Sequence, residues 1–180
     1  LHASAANFSV GVGTEKITYY ASIENAVEIL EDYTEPIALT IAGEDLVVDE
    51  SVTIPSNISL KGTATFTIGS DLDNTVIMTV ENGSSIASTL TIVVKGTLYL
   101  ENAKDLKTTK VTADVKTTDG TDLCYTNLYT ALDNAEFGDI IEVTADELEI
   151  IKSIVVPEGV ILNIPAGVTA EVEVANKVTI

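Results

Sequence analysis

Apolar residues fall in short runs along this chain, and one arrangement of them occurs twice. The first copy is Ser51–Leu60, SVTIPSNISL, and the second is Ser153–Leu162, SIVVPEGVIL. Each places apolar residues on both sides of a proline, Pro55 or Pro157. Each then makes a two-residue polar turn, Ser56-Asn57 or Glu158-Gly159, and re-enters an apolar run. What precedes the blocks also matches. In Ser22–Leu30, Ile23, Ala26, Val27 and Leu30 recur at i, i+3, i+4, i+7, and in Asn127–Ala135, Leu128, Ala131, Leu132 and Ala135 do the same. That spacing predicts two amphipathic helices, with Ser22 and Asn127 as N-caps. Ile37–Ala42 and Ile140–Ala145 follow them as strands. The unit is helix, strand, acidic turn, strand, proline turn, strand. Helices this short do not hold alone in water, so each is expected to lie on a sheet and close the end of a stack of strands.

Between Leu39 and Leu100 the β-branched runs Leu46–Val48, Val52–Ile54, Ala64–Ile68, Val76–Val80 and Leu90–Val94 succeed one another between Gly, Asn and Asp turns. Such spacing predicts an all-β stack. The expected fold is all-β, a parallel β-helix or solenoid with two short amphipathic helices, and a β-sandwich is the alternative. Four segments are expected: an arm over 1–18, a first solenoid unit over 19–100, a lysine-rich connector over 101–118 and a second unit over 119–180. In the arm Phe8, Val10 and Val12 alternate with Ser9, Gly11 and Gly13, the period of a strand with no obvious neighbour, and so one with donor-strand character. Val168–Val174 and Val178–Ile180 are strands at the other end, with no polar cap after them. Stacked strands normally need one, so either the chain is a fragment or another chain covers that end.

Charge narrows the partners. The formal net charge is −19, with nine lysines and no arginine. Self-repulsion of that size argues against nucleic acid and anionic lipid as partners. Five of the nine lysines fall between Lys95 and Lys116, which makes that stretch locally basic: a solvated connector, an edge blunted by lysine, or a patch that docks on an acidic neighbour. Cys124 is the only cysteine, so no intrachain disulfide forms, and a buried inert thiol is the expectation. No apolar run is long enough to span a bilayer as a helix. Leu1 followed by small residues fits removal of a leader or a cut from a longer chain.

The pattern s-[VI]-x-[VI]-P-x-[GN]-[VI]-x-L after a helix, an apolar strand and an acidic turn resembles the β-helix repeats of bacterial and archaeal cell-surface proteins. The matching residues are Ile23–Leu60 and Leu128–Leu162, with Asn82–Leu100 similar to a further coil. The resemblance implies a right-handed, pectate-lyase-like parallel β-helix. It is nearly silent on activity, since that family holds lyases, adhesins and structural components. Its lyases use a basic residue, often arginine, beside calcium-binding aspartates, and this chain has no arginine.

No catalytic, cofactor or metal set is expected. His2 is the sole histidine and lies in the arm. Asp71-Leu72-Asp73-Asn74 begins like a calcium loop but lacks the glycine and the distal glutamate of an EF-hand. Asn7, Asn57 and Asn82 match the glycosylation pattern. The expected function is that of a non-enzymatic structural surface protein, extracellular, self-associating head to tail, the subunit of a filament built by β-strand donation. Phe8, Val10, Val12, Val172, Val174, Val178 and Ile180 are the expected joint. A glycan-binding or adhesin module of a larger surface protein is the alternative, with Tyr19, Tyr20, Tyr33, Tyr99, Tyr125 and Tyr129 as candidate platforms. An enzyme acting on carbohydrate, through Asp71 and Asp73, ranks last.

Overall fold

A computed structural model describes residues 8–12, 16–20, 22–43, 46–108, 110–172 and 177–180. The chain is a mostly β structure, a solenoid of about six turns with two short helices, as expected.

The chain opens with an antiparallel hairpin, β1 (Phe8–Val12) and β2 (Lys16–Tyr20), followed by α1 (Ile23–Ile29). Three coils of three strands each come next. They are β3 (Ile37–Ile41), β4 (Leu46–Val48), β5 (Val52–Ile54); β6 (Ile58–Gly62), β7 (Thr65–Ile68), β8 (Ile77–Val80); and β9 (Ser85–Ile86), β10 (Thr91–Val94), β11 (Thr97–Leu100). Each strand pairs in parallel with its counterpart one coil on. Inward side chains therefore stack in ladders: Leu39 on Leu60 on Ile86, Leu46 on Phe66 on Ile92, and Val52 on Met78 on Leu98. All but the half-buried Val52 are buried in one core, where side chains matched from coil to coil leave few gaps.

The lysine-rich stretch belongs largely to this first unit. A 3₁₀ turn at Ala103–Asp105 leads to a bridge between Leu106 and Ile86 and to β12 (Val111–Thr112), which extends the β10 sheet. A second hairpin follows, β13 (Val115–Asp119) and β14 (Asp122–Thr126), then α2 (Leu128–Asp133). Two further coils are β15 (Ile140–Val143), β16 (Glu147–Ile150), β17 (Ile154–Val155) and β18 (Ile161–Asn163), β19 (Thr169–Val172), β20 (Val178–Thr179), again paired in parallel.

The duplication extends further than the sequence blocks. In the first unit β1 lies between β2 and β3, antiparallel to both, with Val10 opposite Thr18 and Leu39. In the second, β13 lies between β14 and β15 in the same way, with Thr117 opposite Cys124 and Ile141. Ser22 and Asn127 cap their helices as expected, accepting the N–H groups of Asn25 at 3.0 Å and Thr130 at 2.9 Å. Ile23, Ala26 and Leu30, and Leu128, Ala131 and Leu132, are buried in the first and second cores. The proline turns also match: Ile58 N–H donates to the Pro55 carbonyl and Val160 N–H to that of Pro157. Even the tie between helix and coil is kept, by different chemistry. Glu24 Oε1 accepts the N–H groups of Asp49 and Glu50, and the Tyr129 hydroxyl accepts that of Ile151.

The units meet in one seven-stranded sheet, in the order β18-β15-β13-β14-β11-β8-β5. The joint is the antiparallel pair β11–β14, with Leu98 opposite Tyr125 and Tyr99 opposite Cys124. Leu98, Leu100, Leu123 and Tyr125 face the first core. Alternate side chains point the other way, and there Val115, Ile141 and Val143 belong to the second core. The two cores lie on opposite faces of the shared sheet. Strand direction follows from this: β15 and β18 run antiparallel to β5, β8 and β11, because two antiparallel steps lead to β13 and a third to β15.

Candidate functional site: the two ends and the groove at the joint

The residues expected to form a joint lie at the two ends of the stack. Phe8, Val10 and Val12 are in β1, which is paired on both sides within its own chain. The arm thus has a partner, supplied by the next strand in sequence. At this end the outer edges of β2, β4 and β5 have no strand partner among the described residues, and β2 is the edge of the sheet that holds the arm. At the far end Val172 closes β19 opposite Ile150, and Val178 in β20 stands opposite Ile154. Val174 lies outside the described residues. Exposure rises in this last coil where the paired residue one coil earlier is buried: Val172 is 43% exposed against 2% at Ile150, and Val178 41% against 4% at Ile154. The outer edges of β18, β19 and β20 have no strand partner among the described residues. Among the described residues, β2 and the strands of the last coil thus present backbone edges of the kind that can accept another strand.

The joint creates a second feature. The outward face of the first unit, with Thr79, Thr97 and Tyr99, meets the capped end of the second unit at a corner. The corner holds a cavity of about 500 Å³ whose rim carries Asp119 and Asp122 from the hairpin and Glu136 and Asp139 from the loop after α2. The Tyr99 hydroxyl donates to Asp122 Oδ2 at 2.8 Å, which holds its pKa up at about 12, with burial adding to the effect. Asp139 and Glu136 brace one another, since Glu136 N–H donates to Asp139 Oδ2 and Asp139 N–H to the Glu136 carbonyl. Cys124 also lines the cavity, and burial pushes its thiol up to about 11, far from the reactive thiolate range. A wall of hydroxyls and carboxylates beside one aromatic ring can accept hydrogen bonds from a polyhydroxyl ligand or attract a cation.

The other tyrosines divide by role. Tyr125 packs on the first core, Tyr129 is tied to Ile151 and lies under the Lys152 ammonium at 4.4 Å, and Tyr33 is exposed. The side chains of Tyr19 and Tyr20 are outside the described residues. Asp71 pairs with Lys95 at 3.1 Å, and Asp73 is engaged within its own turn, where the Thr75 hydroxyl and N–H hold its carboxyl below the usual range. Asn57 uses its amide to donate to the carbonyls of Tyr33 and Glu35. Among the described residues no group of His, Cys, Asp and Glu is placed to hold a metal ion, and no helix is long and apolar enough to cross a membrane.

The β13–β14 hairpin and the Tyr99–Asp122 groove were not anticipated from the sequence. The signal available was Asp119-Gly120 between VKTT and TDLCYT, a hairpin dipeptide. Comparison of the chain with protein families, curated proteins and solved structures finds no match to any of them.

Proposed function

We propose that this chain is a non-enzymatic structural module of an extracellular or cell-surface protein, and that it associates end to end with copies of itself into a filament. The observation that carries the reading is the pair of strand edges without a partner among the described residues, β2 at one side and β18, β19 and β20 at the other, with Val172 and Val178 partly exposed beside the latter. The two ends are unlike, and unlike surfaces joined head to tail give open polymers when the rotation does not close. The resemblance to surface β-helix repeats supports the location, and the lack of arginine speaks against the lyase chemistry of that fold. At −19 the copies repel one another, so association strengthens as salt screens the charge. Light scattering and negative-stain electron microscopy across protein and salt concentration test this. Mass that grows with both, together with regular filaments, is expected. A monomer under all conditions would sink the reading.

A second reading, a glycan-binding module, is favoured by the groove alone. Calorimetry against a broad panel of neutral and acidic glycans tests it. Binding that is lost in Tyr99→Ala with the fold intact supports that role, and silence across the panel removes it.

A further inference from the structure

We infer that the outer edge of β2 is a docking edge for β20 of a second copy, and that the joint repeats the β11–β14 pairing already inside the chain. The inference rests on the end-to-end association proposed above and specifies its geometry. The argument is one of equivalence. β14 is to β13 and β15 what β2 is to β1 and β3: the same antiparallel register, the same helix behind it, the same helix cap. Yet their outer edges differ. That of β14 is occupied by β11, the last strand of the preceding unit in the third-strand sheet, and that of β2 is unpaired among the described residues.

The occupant follows from the same equivalence. The third strands of the first unit run β5, β8, β11 and meet β14, from which the sheet continues into the second unit. In the second unit the corresponding sheet runs β17, β20, with β20 as its outer strand among the described residues. It is reached after two coils rather than three. Register names the contact. Cys124 of β14 stands opposite Tyr99, which stands opposite Thr79 in β8. Thr18 takes the place of Cys124 in β2. Val52 pairs with Met78 as Ile154 pairs with Val178, so Thr179 takes the place of Thr79. Thr18 of one copy therefore faces Thr179 of the next. As at the internal joint, the neighbour's core falls on the opposite face of the sheet.

Cysteine crosslinking tests the register, in the 180-residue chain with Cys124→Ser. Thr179→Cys is combined in turn with Lys16→Cys, Thr18→Cys and Tyr20→Cys, and each protein is oxidised at a concentration where scattering reports association. A ladder of covalent oligomers strongest for the Thr18 pair is expected, reversed by reductant. Association by scattering without a Thr18–Thr179 ladder overturns this joint and leaves end-to-end association standing. The absence of association in scattering overturns both.

Discussion

The hydroxyls of Thr97 and Thr126 lie 2.9 Å apart, both buried, across the strand pair that joins the two solenoid units. Thr126 has one proton, and it is given to the Gly96 carbonyl at 3.0 Å, so Thr97 donates to Thr126. This chain of three groups satisfies the polar seam where one core ends and the other begins. Thr126→Val keeps the shape but strands the Gly96 carbonyl and the Thr97 hydroxyl. A loss of about 1–3 kcal/mol is expected from urea unfolding. Thr97→Val added to it should cost less than it does in the parent, because its partner is already gone.

Gly62 ends β6 at φ +119°, and a Cβ built there would sit 2.1 Å from the carbonyl oxygen of Ile41. The contact is with backbone that is itself in the β3–β6 ladder, so nothing can give without breaking the pairing. Gly62→Ala should destabilise by at least about 3 kcal/mol. Gly138, at φ +98°, has open space where a Cβ would be. Gly138→Ala should cost only the backbone strain of roughly 1–2 kcal/mol. Thermal unfolding of both variants checks the contrast; equal losses would count against the close approach at Gly62.

Alkaline pH should loosen the joint. Tyr99 in the fold titrates at about 12, above the ordinary value of 10.0, so the folded state holds a proton that the unfolded chain releases. The resulting stabilisation is complete below pH 10 and lost as the pH rises through 12. Tyr125 shifts in the same direction, mainly through burial, and Cys124 adds to the slope from its ordinary 9.0 to about 11. Tyr99→Phe should therefore flatten part of the decline in stability over that window without abolishing it. Unfolding curves taken at rising pH from just below 9.0, the ordinary thiol value, measure the slope directly. An unchanged slope would show that Tyr99 titrates as in water.

Cys124 should be slow to alkylate. Its thiol is raised to about 11 by burial and faces the groove beside Tyr99, so little thiolate exists at neutral pH. Iodoacetamide should label the native protein far more slowly than the urea-unfolded chain. Rapid native labelling would contradict the packing at the joint.

Much of the fold was legible in the sequence because each helix carries a single apolar stripe and each coil a proline or glycine turn. The caps at Ser22 and Asn127, the inward residues of both helices and the Pro55 and Pro157 turns all lie where period and turn chemistry put them. The hairpins were harder to read for a physical reason. β14 alternates Leu123 and Tyr125, which pack on the first core, with Cys124 and Thr126, which line the groove at the joint with Thr126 bonded to Thr97, so the second set is not a plain solvent face. β13, with sequence VKTTD, buries Val115 and uses Lys116 to pair with Glu142 at 3.0 Å, which in sequence looks like part of a charged linker. The edge at β2 could not be seen at all before β1 was known to be an interior strand.

The exchange of faces at the β13–β14 hairpin bears on how such a chain can lengthen over evolutionary time. A single continuous solenoid grown coil by coil carries any slip in register through its whole length. Here the second unit starts afresh from its own hairpin and its own capped helix, and builds a separate interior from Val115 to Val160. A duplication that copies hairpin, helix and coils together carries with it all the parts from which each unit builds its own core, including the outer hairpin strand that forms the joint. The same corner can then be held by different side chains in the two units, as it is by Glu24 and Tyr129.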